Sequence, residues 1–343
     1  KQIITGLPDV GGRFSALSPF GLLPAALMGV DLEAFSAPAE DSQSDLIDFK
    51  DQHPGVILGT ILGTLYSFGY NKLTLVMPSE LIAFGRWLEQ LIAESTGKEG
   101  QGIVPVLEPL PISPEAYSHD RIFVTFSLQG ENEPFWLKRL EYVEKSGLPC
   151  VHLNISPRDL AEDFFVWEIA TAIAGYFLKI NPFDQPDVEL TKKKTSEILD
   201  QPESTSLEGY LSSENSQEIE QALRSLLLDR EKSSGYISVL AFLPSDDNLN
   251  SALDNLARQI TEKTHLPCTW NYGPSYLHST GQLYKGDSGL GRFLGLFYDD
   301  NRELTIPAKP DWPPTAPSFN RLFRAQALGD LAALQSKQRK VLF

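Results

Sequence analysis

Apolar positions in this chain fall into short runs separated by longer segments in which apolar and polar residues alternate at helical spacing. In the first half, the runs at residues 73–77, 103–107, 121–128 and 151–155 read as strands, being short, β-branched or aromatic and bounded by Gly, Pro or Asp. Between and around them, residues 55–70, 79–93, 134–146 and 159–178 read as helices. The apolar stretch 19–30 is expected to form a buried helix. Residues 37–52 carry Pro38 with several Asp and Ser, and read as a loop or boundary. Strands alternating with helices predict a doubly wound α/β fold with a mostly parallel sheet covered on both faces.

The segment 181–186, Asn181-Pro-Phe-Asp-Gln-Pro186, ends the preceding helix because proline cannot continue its hydrogen-bond ladder. Residues 195–217 are polar and read as a loop or helix-flanking insert. An additional C-terminal α/β region follows. Its expected helices are 218–228, 249–262 and 319–335, and its expected strands are 236–242, 293–298 and 341–343.

Composition narrows the function classes. Of 343 residues, 42% are hydrophobic and 22% charged, ordinary for a globular protein, and the formal net charge is −16. An acidic surface repels nucleic-acid backbones and anionic membranes, so neither is an expected partner. Local Arg, Lys and backbone donors can still make a pocket for an anionic substrate. Cys150 and Cys268 do not make a disulfide scaffold and read as buried free thiols of a cytoplasmic protein. The five histidines are scattered, so no metal site is expected. No signal peptide or membrane-spanning run stands out. The opening Lys1-Gln-Ile-Ile reads as an internal entry point in a longer chain.

Four places combine backbone freedom with polar groups suited to an anionic sugar. Gly11 and Gly12 permit close backbone approach beside Arg13, whose guanidinium offers several donors in a fixed fork; a turn with Arg13 paired to a surface carboxylate has the same pattern. Gln90 and Glu94 share one helix face, and Gly97 ends that helix. Glu94 therefore sits where the helix dipole disfavours a carboxylate and nudges its pKa toward that of a proton-abstracting base, although a solvated last turn looks similar. Gln185 lies in the Pro-flanked turn, with Lys192 two helical turns on, in a lysine run of the kind that usually faces solvent. His278 lies among small hydroxylic residues and is suited to moving protons at neutral pH. The run Gly289-x-Gly291-x-x-x-Gly295 lacks dinucleotide spacing, so a nicotinamide site is not expected.

Taken together, these motifs resemble the phosphoglucose isomerase family, and most of all the isomerase part of transaldolase/phosphoglucose isomerase fusions. The resemblance rests on Gly11-Gly-Arg-Phe-Ser-Ala-Leu-Ser18 with Gly21-Leu-Leu-Pro24, Glu94-Ser-Thr-Gly-Lys98 and Asn181-Pro-Phe-Asp-Gln-Pro-Asp-Val-Glu189. It rests also on His278-Ser-Thr-Gly-Gln-Leu-Tyr-Lys-Gly286 and Ala325-Gln-Ala-Leu-Gly-Asp-Leu331. It implies sugar-isomerase domains and interconversion of glucose 6-phosphate and fructose 6-phosphate through a cis-enediol, with no cofactor. Glu94 would be the base, Arg13 would stabilise the enediolate, and Lys192 and His278 would serve ring opening. Gln90, Gln185 and Gly12 with Arg13 would contact the sugar phosphate.

Two features depart from the family pattern. His278 follows the Asn-Pro-Phe-Asp-Gln motif instead of preceding it, so either the fold returns it to the site or it is a look-alike. The Ser/Thr-rich phosphate loop expected upstream of Gly11 is absent from these residues. The implied organisation is a remnant of a first sugar-isomerase domain at 1–50, a second at 51–194, and a C-terminal α/β region at 195–343. Homodimerisation, or association with a missing N-terminal part that carries phosphate recognition, is expected. Isomerisation of another phosphosugar, or phosphosugar binding without catalysis, stays open.

Overall fold

A computed structural model describes residues 3–108, 111–130, 133–200, 211, 216–228, 234–298, 304–306 and 317–343. The chain divides into two compact units, Lys1–Gln185 and Pro186–Phe343. The division falls at the Gln185–Pro186 step, nine residues before the boundary expected at 194, because the helix that starts at Pro186 packs on the C-terminal helix of the second unit.

The first unit contains α1 (Pro19–Leu27), α2 (Leu32–Asp48), α3 (Pro54–Ser67), β1 (Lys72–Val76), α4 (Ile82–Thr96) and β2 (Val104–Leu107). It continues with β3 (Arg121–Leu128), α5 (Glu133–Lys145), β4 (Cys150–Ile155) and α6 (Leu160–Leu178). Its strands are all parallel in the order β2-β1-β3-β4. Side-chain alternation divides the sheet's two faces. Leu73, Leu75, Ile122, Val124 and Phe126 join residues of α3, α4 and α6 in the main core, whereas Val76 and Phe123 meet Ile112, Tyr117 and Val143 on the other face. Helices on both faces make the fold doubly wound.

Helix α6 lies close against α3 because Gly55, Gly59 and Gly63 recur at i, i+4 along the contact. A Cβ at Gly59 would stand 2.4 Å from the Ala170 carbonyl oxygen, so no larger residue fits without moving a helix.

The second unit contains α7 (Pro186–Leu199), α8 (Ser216–Leu227), β5 (Tyr236–Phe242), α9 (Asp247–Thr264) and β6 (Cys268–Tyr272). It continues with α10 (Thr280–Gly286), β7 (Gly291–Phe297), α11 (Phe319–Ser336) and β8 (Lys340–Leu342). Its strands are also parallel, in the order β6-β5-β7-β8, so the additional α/β region repeats the strand order of the first unit.

Several expectations are corrected. Residues 37–48 belong to helix α2 instead of a loop: the Asp31 carboxylate caps it by accepting from the Ala34 N–H at 3.2 Å, and α2 then packs on α6. Helix α1 is apolar but not buried, with Phe20 65% and Leu27 81% exposed. Residues 195–199 continue α7, while the rest of the expected insert falls largely outside the described residues. Cys150 is exposed; only Cys268 is buried. No helix among the described residues is long and apolar enough to cross a membrane.

Candidate active site

Helix α4 returns from the carboxyl end of β1 to the start of β2, and α6 likewise runs back against the strands. Their C-terminal ends therefore lie by the N-terminal edge of the sheet, away from the switch-point crevice where open α/β sheets usually bind ligands. Three chain segments meet there: the 3-10 turn Gly12–Phe14, the last turn of α4, and the turn after α6. That last turn forms because Lys179 takes a left-handed conformation at the end of α6 and Pro182 follows it.

Arg13 is the hub. It is 1% exposed, and every N–H of its fork is engaged. Nε donates to Ser95 Oγ at 2.8 Å, and Nη1 donates to Gln185 Oε1 at 3.0 Å and lies 3.2 Å from Glu94 Oε1. Nη2 donates to the carbonyls of Pro182 at 2.8 Å and Asp184 at 3.0 Å. Burial lowers the guanidinium's pKa, opposed by Glu94 and Asp184. The Trp87 indole N–H donates to the Arg13 carbonyl at 3.0 Å and holds the turn against α4.

Glu94 is 7% exposed, and its second oxygen accepts from Gln90 Nε2 at 3.2 Å. The carboxylate is thus buried between a guanidinium and an amide, which excludes the solvated-turn reading. The alternative for Arg13, a surface ion pair, is excluded in the same way. Lys98, 1% exposed, reaches across to the turn: Nζ donates to the Asn181 carbonyl at 2.8 Å, to the Asp184 carbonyl, and to Asp184 Oδ1 at 2.8 Å. Burial lowers its pKa, an effect opposed by Asp184. Space around Gly12 is open, since a Cβ there would meet nothing within 4 Å.

The structure therefore brings together Arg13, Gln90, Glu94 and Gln185 from the sequence-based set, and adds Ser95, Lys98 and Trp87. Lys98 and Ser95 stand inside the Glu94–Lys98 motif, which was the available signal. Lys192 and His278 belong to the second unit. Lys192 is exposed on α7 and pairs with Glu189 at 2.7 Å, as a lysine on a solvated face does. His278 is exposed at the end of the 3-10 turn Ser275–His278. In the same motif Gln282 is buried, accepting from the Asp187 N–H at 2.8 Å and donating to Asp187 Oδ2 at 2.9 Å. Lys285 pairs with the buried Asp330 at 2.6 Å. This motif is thus built into the core of its unit.

Among the described residues, no group of three or more His, Cys, Asp or Glu is arranged to hold a metal ion.

No family model matches the chain. Over 237 residues it is 30% identical to the glucose-6-phosphate isomerase of Leptospira interrogans, an alignment covering 57% of this chain and 53% of that protein. Over 235 residues it is 30% identical to the glucose-6-phosphate isomerase of Clostridium tetani, covering 56% and 52%. A hypothetical protein from Thermus thermophilus aligns in three dimensions over 98% of this chain and 87% of its own, at 13% identity and a TM-score of 0.30, too low to carry a conclusion. The chain spans about half the length of the curated relatives it matches, and over its matched part it is similar to glucose-6-phosphate isomerases.

Proposed function

We propose that this chain supplies the proton-transfer half of an aldose–ketose isomerase acting on glucose 6-phosphate and fructose 6-phosphate. The observation that carries the reading is the buried Glu94 carboxylate, 3.2 Å from the Arg13 guanidinium. A guanidinium at that distance favours the ionised carboxylate, the form a base needs. When Glu94 takes a proton from the sugar carbon, its own charge disappears as negative charge grows on the enediolate oxygen. The positive charge of Arg13, already in place, then compensates the enediolate in place of the carboxylate. Gln185 is the neutral partner that a sugar oxygen can replace on Nη1 at least cost. Similarity to named glucose-6-phosphate isomerases supports the substrate class.

For ring opening, the family resemblance nominates His278 and Lys192, and for sugar-phosphate contacts Gln90, Gln185 and Gly12. Phosphate recognition is assigned to a part of the protein outside these residues, so the full reaction needs that part, covalently joined or as a companion chain.

The test is a coupled assay for conversion of fructose 6-phosphate to glucose 6-phosphate by the longest protein that contains this chain. Glu94→Gln is expected to lower kcat by at least about 10²-fold, the usual contribution of a general base, with little change in sugar-phosphate affinity. A Glu94→Gln protein that isomerises normally overturns the reading. Binding without turnover in the wild type favours a phosphosugar sensor instead.

A further inference from the structure

The face of the first sheet turned away from the main core is unusual for a parallel sheet, whose two faces are normally both apolar. By alternation it carries Lys72, Thr74, Arg121, Thr125, Ser127, Cys150, His152 and Asn154, with Val76 and Phe123 among them. Toward β4 this polarity is internally bonded. His152 Nδ1 and Nε2 lie 3.0 and 3.1 Å from Thr125 Oγ1 and Ser127 Oγ, and Ser127 Oγ donates to Asn154 Oδ1 at 3.0 Å.

Toward β1 the bonding is incomplete. Arg121 is fully buried, its guanidinium 4.9 Å from the Tyr117 ring centroid, with Nη1 donating to Thr74 Oγ1 at 3.2 Å. Its Nε and Nη2 have no hydrogen-bond partner among the described residues, and neither do the buried Ser118 Oγ and Asp120 Oδ1. A buried cation with unmet donors is costly unless an anion completes it. The nearby carboxylates, Glu108 first and Asp120 after it, oppose the cost of burying the charge, yet neither accepts a hydrogen bond from Nε or Nη2. Asp120 gives its other oxygen to Lys72 Nζ at 2.6 Å, and Glu108 accepts from the Tyr117 hydroxyl at 3.3 Å. Burial pushes the Glu108 carboxyl up to about 7, an effect that Arg121 and the Tyr117 hydrogen bond oppose. The Nε and Nη2 pair is an edge of the guanidinium that presents two parallel N–H groups to a carboxylate or phosphate.

We propose that Arg121 forms a second binding site, for a small oxyanion held bidentately on Nε and Nη2. It lies on the sheet face opposite the core that supports Arg13 and Glu94, so it does not rest on the isomerase reading.

The experiment titrates wild-type protein with inorganic phosphate, and separately with acetate, against sodium chloride at matched ionic strength, reading the thermal unfolding midpoint and the heat of binding. A saturable rise with one or both oxyanions is expected, and the stronger of the two identifies the class. Arg121→Met, which keeps the length without the charge, is expected to abolish it. Arg121→Lys, which keeps the charge without the fork, is expected to weaken binding at least about tenfold. A crystal of wild-type protein grown without oxyanions and soaked in the stronger one should show it on the Nε–Nη2 edge. A rise equal to that in chloride, a saturable rise that survives Arg121→Met, or water alone on that edge overturns the proposal.

Discussion

Replacing Gly59 with Ala sets two effects of opposite sign against each other. Alanine is the better helix former by about 1 kcal/mol in a helix interior, so propensity alone predicts a gain. The new methyl, however, would stand 2.4 Å from the Ala170 carbonyl oxygen, 2.7 Å from Ile173 Cβ and 2.9 Å from Ala170 Cα. Two of these are backbone atoms, so no rotamer change relieves them, and α3 and α6 must separate by roughly 1 Å to restore ordinary contact. Such a gap forfeits about a quarter to a half of the dispersion well for the atoms along the seam. Overpacking of a close-packed core costs about 1–3 kcal/mol, and an unyielding backbone contact puts this site at the upper end. The net expectation is destabilisation by about 1–2 kcal/mol, which for a unit of this size lowers the unfolding midpoint by roughly 3–6 °C. Thr60→Ala, one residue on and exposed, receives the propensity gain without the clash and is expected to raise the midpoint slightly. Calorimetry on the two variants decides the matter: a Gly59→Ala protein that melts at or above wild type refutes the close-approach argument.

The remaining expectations concern charge. Lys98→Met removes the ammonium that ties α4 to the 181–185 turn; Asp184 is half exposed and rehydrates, so urea titration should show a loss of only about 2 kcal/mol. In the isomerase reading the same variant loses kcat/KM, because the turn that places Gln185 and the carbonyls on Arg13 is released. Glu168 on α6 is pushed up to about 8 by burial, so the folded state holds a proton that the unfolded chain releases near 4.5. Stability should therefore fall as pH rises from about 4.5 to about 8, and Glu168→Gln should flatten that slope. His53 has its pKa lowered by burial below 6.5, while its Nδ1 accepts from the Gly55 N–H and its Nε2 meets Ser42 Oγ. Its folded state prefers the neutral ring, so stability present above pH 6.5 is lost as pH falls through the lowered value; a His53→Asn cap with an unchanged acid limb would contradict this.

What could be read from the chain follows the physics of each signal. Strands β3 and β5 stand at their expected bounds because each is a short, mostly apolar run entered from a breaker, Asp120 before β3 and Gly235 before β5. Strand β6 was missed although Cys268-Thr-Trp-Asn-Tyr272 alternates apolar and polar residues: Cys268, Trp270 and Tyr272 pack on the core of its unit, while Thr269 and Asn271 are spent on hydrogen bonds to Ser238 and Tyr284. Helix α2 was obscured by Pro38 and its many polar residues, since packing against α6 is a tertiary effect that composition does not carry. Burial of α1 was inferred from apolar content alone, and content does not say what lies opposite. In the candidate site, residues with a recognisable chemical type (Arg13, Glu94, Gln90 and Gln185) were legible. The role of Lys98 was not, because its partners are backbone carbonyls 83 and 86 residues away.

That hidden role bears on why the site is charged at all. Arg13 and Lys98 are both buried, and both have their pKa values lowered by the cost of burial. For stability alone, a buried ion pair gains little over well-packed apolar residues of the same volume. A fold seeking only to seat the 181–185 turn against α4 had a less costly solution in apolar contacts. What two buried cations provide instead is direction. Lys98 takes up the Asp184 carboxylate, so that Nη1 of Arg13 is left to Gln185 and Glu94 while Nη2 holds the Pro182 and Asp184 carbonyls. Removing Lys98 would let Asp184 compete with Glu94 for the guanidinium. The arrangement thus keeps one particular carboxylate, at the end of one helix, paired with Arg13, which is the pairing that the proposed isomerase reaction calls for.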